Sequence, residues 1–174
     1  NGSDLYVLDH GSNDCSTGFL DPRINLARLS RECGRDGFEV WRLRYISDLV
    51  SNLLAFYKVV MYVDCDEFVV VDPAVSLSLA EYFSGVGRDE MVSAIGYNVL
   101  HNFNYEPAIM YGEKITESRC CLQLNTSMCK SVAVSAGAET NRTCGFHYSG
   151  VSPKSGDLFL FPHSYVDVSA GVTR

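Results

Sequence analysis

Apolar and polar positions divide the chain into short segments, and the period of each segment predicts an element. Residues 5–8 (Leu-Tyr-Val-Leu) are a run of strand formers that ends in turn residues, Asp9-His10-Gly11-Ser12-Asn13-Asp14. Residues 26–33 have helical character and stop at Gly34. Residues 38–43 alternate as a strand does. Ser47 or Asp48 then stands where it can cap a helix reaching about residue 58, with Leu49, Val50, Leu53, Leu54 and Tyr57 at helical spacing. Residues 59–63, Val-Val-Met-Tyr-Val, are almost wholly apolar, as in a strand buried on both faces inside a parallel sheet. That run leads straight into Asp64-Cys65-Asp66-Glu67-Phe68. The pattern further predicts an apolar run at 69–71 ending at Asp72-Pro73, a helix at 78–83, a strand at 91–97, and less regular strands near 131–134 and 158–161.

Strand, helix, strand, helix, strand is the rhythm of an α/β protein with an open, mostly parallel central sheet flanked by helices. Ligands on such sheets gather at the carboxyl ends of the strands. Acid-bearing loops follow Leu8 and Val63, and parallel strands would open both on one side, setting Asp9, Asp64 and Asp66 around one crevice.

Composition narrows the picture. The chain has 174 residues, 47% hydrophobic and 20% charged, which suits a single globular domain. A net charge of −7 argues against a nucleic-acid partner and fits a carboxylate-lined site that needs a cation. No apolar stretch is long enough to span a bilayer, and no signal peptide is visible. Residues 4–9 already read as a core strand only three residues from the start, so a first strand is expected to lie upstream, in a longer chain. The seven cysteines include no C-x-x-C pair, which disfavours a zinc ribbon, and their odd number excludes complete pairing. Free, partly buried thiols in a reducing, cytoplasmic compartment are the expected state. Sequons at Asn1, Asn125 and Asn141 stand near chance frequency and carry little weight.

The acids after residue 63 are the densest chemistry in the chain. Asp64, Asp66 and Glu67 repel one another unless something offsets their charge. On a strand Asp64 and Asp66 would share a face, with Glu67 and Cys65 on the other, Cys65 buried and inert. Two same-face carboxylates suit Mn²⁺ or Mg²⁺, which could bridge a diphosphate and offset charge on a leaving group. The competing reading is a solvated acidic turn. The apolar run before it favours function, because charge beside a buried segment is costly unless used.

These residues resemble a known family. Val63-Asp64-Cys65-Asp66-Glu67-Phe68 looks like the D-x-D-E-F signature of family-2-like GT-A glycosyltransferases, and residues 8–14 look like the D-x-G-S-x-D loop found two strands earlier. Residues 94–99, Glu106-Pro107, Arg119, Lys130-Ser131, Gly145-Phe146-His147 and residues 160–167 with His163 follow in the family's order. The resemblance points to the branch found in bacterial and large-DNA-virus polysaccharide enzymes. It implies a GT-A (Rossmann-like) fold, and a nucleotide-sugar-binding domain over residues 1–174 that transfers sugar, from a UDP-sugar in the first instance, to a glycan or glycoprotein acceptor. Asp9 would lie by the nucleobase or ribose. Asp64 would contact the ribose or the metal shell, and Asp66 would bind Mn²⁺ or Mg²⁺. His163 would complete the metal shell, with His147 ranked second there and carried as a catalytic candidate. Asp167 and Glu106 are the candidate bases for an inverting transfer. Arg119 and Lys130 are the first choices to hold phosphates, ahead of Arg42 and Arg44. Tyr97, Phe103 and Tyr105 could stack on a sugar or simply pack.

Two other classes use the same acids. A nucleotidyltransferase or phosphohydrolase would place them around a metal, but the former usually carries a Gly-rich phosphate loop, which is not seen here. An inactive sugar-binding module would hold ligand without turnover.

Overall fold

A computed structural model describes residues 2–29, 37–110, 112–138 and 154–162. Contacts group the chain into two compact units, Asn1–Arg42 and Leu43–Arg174.

In the first unit, β1 (Tyr6–Asp9) pairs in parallel with β2 (Asn25–Arg28), in register from Tyr6↔Asn25 to Asp9↔Arg28. The strand expected at 5–8 is therefore present. The helix expected from residue 26 is not: its first residues are β2, and residues 30–36 lie outside the described set. The ladder to β1 supplies backbone partners that outweigh the weak local helical preference, with the Asn25 amide donating to the Leu5 carbonyl and the Leu29 amide to that of Asp9.

Helix α1 (Phe38–Leu53) crosses from one unit into the other. Residues 38–43, which alternate like a strand, form its first turns. Its buried residues Leu43, Ile46 and Val50 stand three and four apart, so a short stretch of alternation was a fragment of a longer helical period.

The second unit is strand-rich. Its six-stranded sheet has the order β3 (Val59–Met61), β7 (Lys130–Ser135), β5 (Met91–Leu100), β8 (Lys154–Pro162), β4 (Glu67–Val71), with β6 (Cys121–Leu124) on the far part of β5. Among the described residues of this unit only the β5–β8 pairing is parallel, so β3, β5 and β8 run one way and β4, β6 and β7 the other. The expected open, mostly parallel sheet flanked by helices is thus overturned: the sheet is mixed and curled. Beyond α1, the described helices are α2 (Leu79–Ser84) and the single turn α3 (Ile115–Ser118). The physical reason is connection length. Only residues 62–66 join β3 to β4, too few for a crossover between parallel neighbours. Strand β3 is also an edge strand, not a central one, with Met61 exposed.

The core of this unit joins Val71, Val86, Val92, Ala94, Val132, Ala133 and Leu158, with Leu79, Tyr82 and Phe83 of α2 packed against it. Ser78 caps α2 by accepting from the Glu81 amide. Every residue of β7 is buried, polar ones included. Ser131 shares a hydrogen bond with Ser93, and the Ser135 hydroxyl accepts from the Glu90 amide, which makes their burial tolerable. Among the described residues, no helix is long and apolar enough to cross a membrane.

Candidate functional site

Strand β3 ends at Met61, Tyr62 adds one more rung by donating its amide to the Val132 carbonyl, and the chain then turns back through 64–67, the Glu67 amide donating to the Asp64 carbonyl at 3.0 Å. The acids therefore sit on a tight turn and not on a strand. The expected alternation fails: Glu67 is buried, whereas Asp66 and Cys65 are exposed. Cys65 is thus not the buried residue the pattern suggested.

What holds the turn follows from register. Strands β3 and β7 pair Val59↔Ser135 through Met61↔Ala133, and the same register carried three residues further sets Lys130 opposite Asp64. The Lys130 ammonium lies 2.6 Å from Glu67 Oε1 and 3.3 Å from Asp64 Oδ2. The Lys130 and Glu67 side chains are only 3% and 2% exposed. Glu67 Oε2 accepts from the Asp64 amide at 2.9 Å, and the Tyr62 hydroxyl donates to Asp64 Oδ1 at 2.6 Å. Among the contacts of the described residues, three carboxylates face one ammonium, an excess of negative charge that a divalent cation would offset.

The turn offers carboxylate oxygens to such an ion, although among the described residues the cluster of three or more close metal-ligand atoms is Glu106, Cys120 and Cys121, not these acids. Asp66 is exposed and no hydrogen bond or ion pair engages it among the described residues. Asp64 is half-exposed, with Oδ1 taken by the Tyr62 hydroxyl and Oδ2 facing the Lys130 ammonium. Lys130 does not suit the phosphate role expected of it, because reaching outward would strand Glu67 as an unpaired buried charge.

Asp9 belongs to the first unit and is buried. Its carboxyl accepts from the Ser12 amide at 2.8 Å, and the Arg28 Nε lies 3.9 Å away. Hydrogen bonding from Ser12, then the charge of Arg28, holds it below the usual carboxylate range. The single crevice expected around Asp9, Asp64 and Asp66 relied on one parallel sheet, yet β1 and β3 belong to different sheets. Beside Asp9, the His10 ring stands 4.6 Å from Phe38 and 5.9 Å from Trp41, and its buried Nε2 has no hydrogen-bond partner among the described residues.

Glu106, a candidate base by the resemblance, is held in a hydrogen-bonded cluster that disfavours that role. Its carboxylate accepts from the Cys120 and Asn102 amides at 3.0 and 2.9 Å and from the Cys120 thiol at 3.1 Å. Those donors, led by the Cys120 amide, pull its pKa down to about 2, too low to take a proton from a hydroxyl. Arg119 is equally committed: its guanidinium is buried, donates to the Pro107 and Ser118 carbonyls and lies 3.9 Å from Glu106. It ties the 101–120 loop and is not presented to phosphate. Tyr97 packs edge-on against Phe159, whereas Phe103 and Tyr105 are exposed.

His147, His163 and Asp167 lie outside the described residues. Sequence reasoning missed Tyr62, whose signal was its place two residues before Asp64 on an extended run. It also missed the adjacent Cys120-Cys121, set aside because their spacing is not C-x-x-C. Comparison with family models, with curated proteins and with solved structures gives no match.

Proposed function

We propose that the chain is a metal-dependent glycosyltransferase, moving a sugar from a nucleotide diphosphate sugar, in the first instance a UDP-sugar, to a hydroxyl of a glycan or glycoprotein. One observation carries this reading: a buried Lys130–Glu67 pair locks a turn that leaves Asp66 exposed, with no partner among the described residues, next to a half-exposed Asp64. A turn that served only solubility would not need a buried ion pair beneath it, since burying two charges is expensive.

Asp66, with Asp64 beside it, would hold Mn²⁺ or Mg²⁺. Such an ion, when bound, supplies fixed positive charge against the departing diphosphate. The chain's own part is positioning. Lys130 and Glu67 fix the turn, and the Tyr62 hydroxyl orients Asp64. Inverting transfer also needs a base for the acceptor proton, and Asp167 is the first candidate because the donors around Glu106 lower its basicity. Five free thiols among the described residues support a reducing, cytoplasmic setting. The reading rests on the turn and not on a parallel sheet.

Thermal unfolding of the 174-residue chain with UDP, with and without Mn²⁺, tests it. UDP with Mn²⁺ is expected to raise the midpoint, by about 2.7 kcal/mol of stabilisation at a hundredfold excess over Kd, and UDP alone to raise it far less. Asp66→Ala abolishes the metal-dependent part. Equal stabilisation in that variant, or none by UDP with Mn²⁺ in the parent, would overturn the assignment.

A further inference from the structure

We propose that Glu106, Cys120 and Cys121 form a second, separate metal site, suited to a borderline-soft divalent cation of the zinc class. Their ligand atoms all lie within 4.8 Å of one another. The geometry is close to what zinc requires. Bonds of about 2.3 Å to sulfur in a tetrahedral arrangement set two sulfurs about 3.8 Å apart. The Cys120 and Cys121 sulfurs are 3.9 Å apart. A zinc-bound sulfur and carboxylate oxygen stand about 3.5 Å apart. Cys120 Sγ and Glu106 Oε1, now joined by a hydrogen bond, are at 3.1 Å. These two separations thus stand within a few tenths of an ångström of the zinc values, and the third, from Cys121 Sγ to Glu106, is within 4.8 Å.

Adjacent cysteines on a regular strand point to opposite faces. Here Cys120 precedes β6 and Cys121 begins it, so the alternation does not apply and both sulfurs reach the same carboxylate. Glu106 is already ionised and anchored by the Asn102 and Cys120 amides, which pre-orients the oxygen ligand. His101 follows β5 directly, is buried, and bonds the Glu106 carbonyl oxygen through Nε2, while its Nδ1 has no hydrogen-bond partner among the described residues. The loop therefore holds an unused nitrogen donor. On binding, the two thiols release their protons to solvent and three protein ligands close on the cation. This leaves a tetrahedral position for water, or for His101 after a local shift.

The cluster is remote from the acidic turn. Lys130 pairs with Ala94 and Cys121 with Leu100, six residues on along β5, or up to about 20 Å at strand rise. Its ligand set also differs in kind: thiolates select zinc-class ions, whereas Asp64 and Asp66 offer only oxygen. A cation here would pin residues 101–120 against the β5–β6 ladder.

The test is a cobalt titration of the reduced 174-residue chain, followed by thiolate-to-cobalt charge-transfer absorption and competition with zinc. A charge-transfer band that saturates at a single equivalent and is displaced by zinc is expected. Cys120→Ser and Cys121→Ser each remove the band and weaken zinc binding about tenfold or more. Serine keeps a donor for Glu106, and circular dichroism checks that each variant stays folded. Cys65→Ser and Asp66→Ala retain the band, which separates this site from the acidic turn. No band in the parent, a band surviving in both serine variants of the pair, or a band lost with Cys65 would overturn the proposal.

Discussion

Removing the Lys130 ammonium tests the mechanical basis of the acidic turn. In Lys130→Met a chain of similar length fills the space, but Glu67 keeps its carboxylate with a side chain 2% exposed and its 2.6 Å partner gone. The Asp64 amide still donates to it, which does not balance a charge. Breaking a buried pair on one side typically costs about 3–5 kcal/mol. For a chain of this size each kcal/mol moves the melting midpoint by roughly 2–4 °C, so a drop of roughly 6–20 °C is expected. The double variant Lys130→Met/Glu67→Gln removes both charges and leaves an amide oxygen to accept from Asp64, so much of the loss should return. The cycle of both singles and the double then reports a coupling well above that of a surface pair. An internal control is available in Arg23–Asp21, whose side chains are 69% and 42% exposed and whose loss should cost no more than about 1 kcal/mol. Urea unfolding followed by circular dichroism measures all of these, provided the slopes agree. If Lys130→Met unfolds within about 1 kcal/mol of the parent, the pair does not lock the turn and the reasoning fails.

Other consequences follow from single contacts. A Cβ on Gly96 would meet the Met128 carbonyl carbon at 2.6 Å and the Asn125 oxygen at 2.8 Å. Gly96→Ala should therefore cost about 1–3 kcal/mol in urea unfolding, and a neutral result would mean the turn at Thr126–Met128 yields freely. Glu106 titrates at about 2 in the folded chain against an ordinary 4.5, a depressed value, so its contribution is complete above about 4.5 and fades as the pH falls towards 2. Carbon-13 NMR of its side-chain carboxyl should give a midpoint near 2, with loss of amide protection at Asn102 and Cys120 over that range. A midpoint near 4.5 would show that these donors do not engage it.

Several elements were legible in the chain because their causes are local. Residues 5–8, 59–63 and 91–97 carry strand formers, and Ser78 marks the start of α2, its hydroxyl accepting from the Glu81 amide. The prominence of the 64–67 acids was equally plain, since three carboxylates in four positions must be offset by something. Which partner offsets them was not. Lys130 is sixty-six residues away, and it meets Asp64 only because β3 and β7 pair antiparallel in one particular register.

Strand direction was hidden for the same reason. An apolar run reports burial, but direction depends on which neighbour completes its hydrogen bonds, a long-range choice. That choice made β3 an edge strand, put Asp66 out and Glu67 in, and turned the parallel sheet suggested by the rhythm into a mixed one. Glu106 shows the converse. Its charge was visible in the chain, yet its chemistry is set by Cys120, Asn102 and Arg119, which the fold gathers around it and which lower its basicity.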